Sequence, residues 1–177
     1  MAIWALKIVP EQGIQADLAT VKGLVEEKEY LKALYLLEIM PENIESAALK
    51  YQCKLEVSEN SAIRYFDVIQ EKYRGDEQYL AVMESVMHLV LASDSRTDAV
   101  IKNGLDAVER LLRSGRNGDY RVHEAMGILC YRYGESFRRK GVQALENSIP
   151  AAKMNRVGDD VIKHLEEQVK IYREKLY

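Results

Sequence analysis

Met126-Gly127-Ile128-Leu129-Cys130-Tyr131-Arg132-Tyr133-Gly134 is the stretch whose reading decides the fold. Its apolar side, Met126, Leu129 and Tyr133 with Val122 just before, follows the 3.6-residue period of an amphipathic helix. Two glycines seven residues apart interrupt it. Gly127 is expected where a neighbouring helix comes too close for any side chain, and Gly134 where the helix stops. The stretch therefore predicts one arm of a tightly packed helical hairpin.

Working outward, the same period recurs along the chain. Toward the C-terminus, Ser136 is expected to cap an eighth helix with Phe137, Gly141, Ala144, Leu145 and Ser148 on one face; the other reading is that the preceding helix runs on to Lys140. Pro150 is expected to shorten or kink that eighth helix. A last helix from about Arg156 carries Val161, Leu165, Val169, Tyr172 and Leu176 as one stripe. Upstream, Ser114-Gly115-Arg116-Asn117-Gly118 is a turn. Before it lies a helix capped by Ser95 or Thr97, with Ile101, Leu105, Val108 and Leu112 inward. A wide apolar arc through Tyr79, Leu80, Met83, Val86, Met87 and Val90 marks a central helix from Asp76 to about Ser93, its methionines reading as core filler. Further back, Ser58 or Asn60 caps a helix with Tyr65, Phe66 and Ile69 that Gly75 closes, and Asn43 caps one with Ile44, Ala48, Tyr51 and Leu55. Tyr30, Ala33, Leu34, Leu37 and Met40 form another, limited by Pro41, after a first helix on Ile14, Leu18, Val21 and Val25. No stretch reads as a strand, so the fold class is all-α, with about eight or nine helices.

The 177 residues suit one domain, 1–177, with an N-terminal arm at 1–11 and a capping helix at 156–177. Residues 2–9, which carry Trp4, are expected to pack as an end cap. A composition of 47% hydrophobic and 30% charged residues with only 3 prolines excludes collagen-like and disordered chains. The net charge of −3 is unevenly spread: Met1–Ala99 holds 10 basic and 17 acidic residues, and Val100–Lys140 holds 9 and 5. The basic segment could face a partner, the acidic half of the chain or another copy. Cys53 and Cys130 form no CxxC pair and sit among apolar residues, which predicts buried, reduced thiols and a reducing, cytoplasmic setting. No uncharged run approaches the ~20 residues of a spanning helix, so membrane insertion is not expected.

The spacing of Met126-Gly127, Cys130 and Gly134, with Tyr30 followed by Ala33, Leu34 and Leu37, resembles the tetratricopeptide (TPR) repeat in degenerate form. Ala144 and the pair Ala151-Ala152 resemble the related Sel1-like repeats. Cys130 stands where an aromatic is usual, and Arg139 where alanine is. The resemblance implies antiparallel hairpins stacked as a right-handed array, and an adaptor or scaffold that binds a protein or peptide on a concave face.

Three histidines, His88, His123 and His164, stand in no metal-binding spacing, and no glycine-rich phosphate loop joins a strand to a helix. No catalytic group, metal or cofactor is expected. The candidate binding strip is Arg121, Glu124, Ile128 and Arg132, which a 100° step brings to one side of a helix, extended by Arg138 and Arg139 past the turn. Arginine forks suit carboxylates, so the expected ligand is an acidic peptide or helix, or a C-terminal carboxylate. The alternative is nucleic acid, held by the basic 100–140 segment with Tyr120, Tyr131 and Tyr133 as stacking groups. The final stripe could also serve as a homodimer seam.

Overall fold

A computed structural model describes residues 17–74, 79–95 and 97–176. Among them stand nine α-helices and no strand: α1 (Leu18–Glu26), α2 (Tyr30–Ile39), α3 (Ile44–Val57), α4 (Glu59–Lys72), α5 (Tyr79–Ala92), α6 (Asp98–Arg113), α7 (Tyr120–Tyr133), α8 (Arg138–Met154) and α9 (Asp159–Glu174). Ile14, the proposed closing residue Gly75, Asp76 and the 1–11 arm lie outside the described residues. No described helix is long and apolar enough to cross a membrane.

Local chemistry sets most of the boundaries. The Asn43 side chain accepts from the Ser46 amide while the Ser46 hydroxyl accepts from the Asn43 amide, a reciprocal cap that starts α3. Ser58 and Thr97 hold the cap positions of α4 and α6 without side-chain bonds to the helix. Helix α7 stops at Gly134, whose φ of +149° suits a residue without a side chain. A 3-10 turn, Glu135–Phe137, then separates α7 from α8, so the chain turns instead of running on to Lys140. Pro150 does not shorten α8, which continues to Met154. A proline removes one amide and crowds the carbonyl four residues back; here its side chain is exposed near the end of a 17-residue helix that buried Leu145, Ser148, Ala151 and Ala152 hold in place.

The odd-numbered α1, α3, α5 and α7 adjoin one another in series, α4 adjoins α6, and most helices also pack on their neighbour in sequence. Two cores result. The larger runs from α3 to α8 and includes Phe66, Ile69, Met83, Met87, Ile101 and Leu129, each at most 1% exposed. The smaller is made by Val21, Ala33, Leu36, Leu37 and Cys53. Helix α3 serves both, since Ala47, Tyr51 and Leu55 face the first and Cys53 the second. Asn103 on α6 donates to the Tyr51 hydroxyl at 3.4 Å, and burial pushes that phenol up to about 12. On α6, Leu111 takes the fully buried place that periodicity gave to Leu112, which is half-buried.

The closest approach in the stack is α7 against α8. A Cβ added to Gly127 would lie 2.4 Å from Leu145 Cγ and 3.0 Å from the Gly141 carbonyl oxygen; one added to Gly141 would lie 2.9 Å from the Gly127 carbonyl oxygen. The two glycines let the backbones meet. A similar squeeze occurs at Gly104, where a Cβ would stand 2.9 Å from Val90 Cγ1 and 3.0 Å from Leu129 Cδ1.

A charge knot ties the first helices together. Lys50, 8% exposed, reaches Glu38 at 2.8 Å and Glu42 at 3.7 Å, and its ammonium lies 5.4 Å from the Tyr65 ring centre. Burial would raise the Glu42 carboxyl, but hydrogen bonds from Lys72 and Tyr73 outweigh it and leave it below the usual carboxylate range.

At the far end, α9 packs on α8 with Leu165 fully buried and Val169 7% exposed. Val161, Tyr172 and Leu176 are half-buried, so the stripe is largely covered within one chain.

Replacing Gly127 with alanine should cost about 1–3 kcal/mol, because Leu145 cannot retreat within a closed core and the Gly141 backbone cannot move alone. Denaturant titration checks this. A Gly127→Ala chain as stable as the original, gaining from alanine's helix preference, would mean the crossing is looser than described.

Candidate functional site

Helix α7 carries the strip singled out in the sequence, and the structure divides it. Arg121 is about half exposed, and its fork is occupied: Nε and Nη2 donate to the two carboxylate oxygens of Asp119 at 3.1 and 2.7 Å. Asp119 is also the N-cap of α7, accepting from the Arg121 amide at 3.0 Å. Arg121 holds the Asp119 carboxyl below the usual range. The pair closes one end of the helix.

Arg132 is spent in the same way at the other end. Its Nη1 donates to the carbonyls of Val90 (2.9 Å) and Leu91 (3.3 Å), and its Nη2 to those of Ser93 (2.9 Å) and Ser95 (2.7 Å). The last carbonyls of a helix have no partner inside it. One guanidinium therefore finishes α5 and holds the chain that leaves it. Four N–H groups on four carbonyls leave Arg132 no fork for a ligand carboxylate.

Between these two, the strip turns toward α9. Glu124 is half-buried beside His164 and Gln168; burial raises its carboxyl above the usual range, and those two neighbours only partly offset the effect. Ile128 is half-buried as well. The opposite side behaves as the period requires, with Val122 and Met126 3% exposed and Leu129 fully buried.

The arginines beyond the turn are placed differently. The Arg138 guanidinium lies 5.1 Å from the Tyr131 ring centre, its nearest carboxylate contact is Glu135 at 4.0 Å, and its Nε has no hydrogen-bond partner. Lys175 of the C-terminal segment stands 5.5 Å from the same ring, and Tyr172 packs edge-on against it at 4.5 Å. Arg139 is exposed and makes no ion pair among the described residues. Tyr131 also lines a trough of about 800 Å³ with Leu91, Ser93, Ile101 and Arg132. A second hollow of about 550 Å³ shares Ser93, Asp94 and Ser95 with it and brings in Leu55, Glu56 and Glu59. Tyr131 and Lys175 were not singled out for this site in the sequence. They are 44 positions apart, and no local spacing joins them.

Four of the nine cations in the basic segment pair within it at 3.1 Å or less. Lys102 pairs with Asp106, Arg113 and Lys140 with Glu109, and Arg121 with Asp119. Among the described residues, the one ion pair from it to the acidic half is Arg116 with Glu84, at 4.0 Å. No group of three or more histidine, cysteine or acidic side chains gathers among the described residues to hold a metal. Cys53 and Cys130 are fully buried free thiols, each pushed up to about 11 by burial. Comparison with protein families, with curated protein sequences and with solved structures finds no match.

Two consequences follow for α7. Arg132→Met should lower stability by about 1.5–3 kcal/mol, with Arg132→Lys recovering only part, since a single ammonium cannot fork. Denaturant unfolding of the three chains checks it; equal midpoints would mean that solvent caps α5 as well as Arg132 does. Glu124 is predicted from its raised pKa. Folded Glu124 holds its proton to higher pH than it does in the unfolded chain, so stability falls as pH rises through that interval. Glu124→Gln should thus melt above the parent at pH 7, the gap closing in acid.

Proposed function

We propose that the chain is a protein-interaction adaptor, a degenerate TPR-like array whose ligand is an acidic peptide bound at the Tyr131–Arg138 edge of the trough. The observation that carries this is the contrast among the arginines. The terminal groups of Arg132 and the fork of Arg121 are taken up by acceptors within the chain, whereas Arg138, stacked over Tyr131 of the trough, has only exposed Glu135 at 4.0 Å as an ion-pair partner. A guanidinium stacked on tyrosine is oriented in advance, and a carboxylate on a peptide can pair with its terminal N–H groups in place of distant Glu135. Arg139 and Lys175 extend the same positive edge, while Leu91 and Tyr131 offer apolar contact. Layered helix pairs present such hollows at the ends of helices without moving the core. The buried reduced thiols fit a cytoplasmic setting.

The test is an affinity capture from native lysate, read by mass spectrometry, with the parent chain and Arg138→Glu/Arg139→Glu side by side. Arg139 is exposed and Arg138 is half-buried over Tyr131, so capture is scored per folded molecule beside the melting temperature of each chain; a captured acidic partner should be lost. An unchanged partner set at unchanged stability would overturn the site. Capture of nucleic acid, with affinity falling linearly on a log–log salt plot, would favour the alternative ligand.

A further inference from the structure

The trough beside Tyr131 is one end of a longer groove. It adjoins the smaller hollow at Ser93, Asp94 and Ser95. Together the two run past the C-terminal ends of three helices: Leu55 and Glu56 of α3, Leu91 and Ala92 of α5, Tyr131 and Arg132 of α7. Helix α5 adjoins both α3 and α7. Packed helices stand about 8–10 Å apart, so the groove is about 16–20 Å long.

The middle of the groove is fixed in advance. From the α7 side, Arg132 holds the carbonyls of Ser93 and Ser95; from the other, the Glu59 carboxylate accepts from the Thr97 hydroxyl. A surface already ordered loses little further freedom when a ligand binds.

The two ends carry opposite charge. Arg138, Arg139 and Lys175 stand at the α7 end, and Glu56 and Glu59 line the α3 end, with Asp94 between. Glu56 and Asp94 are exposed and make no ion pair among the described residues. Hydrogen bonds from Ser95 and Thr97 hold the Glu59 carboxyl below the usual range, so it is ionised at neutral pH.

The helix ends sharpen this contrast. The last carbonyls of a helix carry partial negative charge, which a nearby cation balances. Arg132 does so for α5, and Arg138 follows the end of α7 by a few residues. At α3 the one basic residue of the last turn, Lys54, is paired with Glu38 at 3.6 Å and lies 5.5 Å from the Tyr65 ring centre. Glu56, next to the final residue of α3, adds negative charge where the helix disfavours it. A cation from outside the chain is what this end lacks.

Resting on the peptide reading of the Tyr131–Arg138 edge, we propose that the groove takes an extended peptide of mixed charge. Its carboxylate lies at that edge, and a lysine or arginine lies at the other end among Glu56, Glu59 and Asp94. At about 3.3 Å per residue, the two charges stand about five or six residues apart in the peptide. A uniformly acidic peptide meets repulsion at the α3 end, so the groove selects against it.

The test is selection of a displayed library of random peptides on three full-length chains: the parent, Arg138→Glu/Arg139→Glu and Glu56→Lys/Asp94→Lys. The parent should enrich peptides in which Asp or Glu stands at a fixed offset of about five or six from Lys or Arg. Glu56→Lys/Asp94→Lys, altered at exposed positions, should lose the basic preference and keep the acidic one. A peptide chosen on the parent should bind that variant about tenfold more weakly per folded molecule, the gap narrowing with salt. Replacing the basic residue of that peptide by alanine should weaken its binding to the parent and not to the variant. Acids enriched without a basic companion, or a basic preference that Glu56→Lys/Asp94→Lys retains, would overturn this inference and leave the Arg138 edge standing. No enrichment, enrichment without acids, or equal binding by Arg138→Glu/Arg139→Glu would overturn that edge and this inference together.

Discussion

Everything downstream of α6 depends on two backbones touching. At Gly127 and Gly141 each helix stands where the other's Cβ would have to be, and Leu145 closes over the contact. Close approach of this kind fixes the crossing of α7 and α8 more tightly than interlocking side chains could, since no rotamer change relieves it. The rest is consequential. With α8 held there, Phe137 and Tyr133 meet edge to face across the turn, and α8 presents its far side to α9. With α7 held there, Arg132 is delivered to the end of α5 and Tyr131 to the trough. Helical glycine carries a cost of about 1 kcal/mol, which this crossing offsets through the area it allows α7 and α8 to bury.

The helices were legible in the sequence because burial repeats at 3.6 residues, and the period survives whatever lies on the other side. Met83, Met87, Ile101 and Leu165 are all core, as their spacing requires. Gly127 was legible too, since a glycine in mid-helix has few other reasons to be there. Pro150 does not end α8, because the rule for prolines is local, whereas α8 is held by packing along its whole length. The four residues of the strip all fall on α7, as their spacing requires. Its chemistry was hidden to different degrees. The Asp119–Arg121 pair is two residues apart and could have been anticipated from Asp119 as a cap. The acceptors of Arg132 lie about 40 residues away and are backbone carbonyls, to which no side-chain pattern points. Glu124 looked like a surface charge, and only the seating of α9 makes it a half-buried one.

Charge is arranged to match this division of labour. The acidic excess of the first half and the basic excess of Val100–Lys140 suggest attraction between halves, yet the ion pairs are mostly local, within a helix or between adjoining ones. Exposed pairs of that kind contribute little each. Lys50 is different: it is nearly buried, it serves two carboxylates, and it joins α2 to α3 beneath a tyrosine ring. The knot specifies how the small core meets the large one.

That junction makes the two thiols unequal reporters. Cys53 and Cys130 are alike in burial and in acidity, but Cys53 belongs to a cluster of five buried side chains and Cys130 to one that spans six helices. Cooperative opening follows the amount of apolar surface that must be wetted, so α1 and α2 form a smaller unit that can detach while α3 remains in the large core. Cys53 then becomes accessible through partial unfolding and Cys130 only through global unfolding. Under native conditions their exchange rates would separate by the free energy that divides the two events, and the gap between them would measure how strongly the first hairpin is coupled to the rest of the stack.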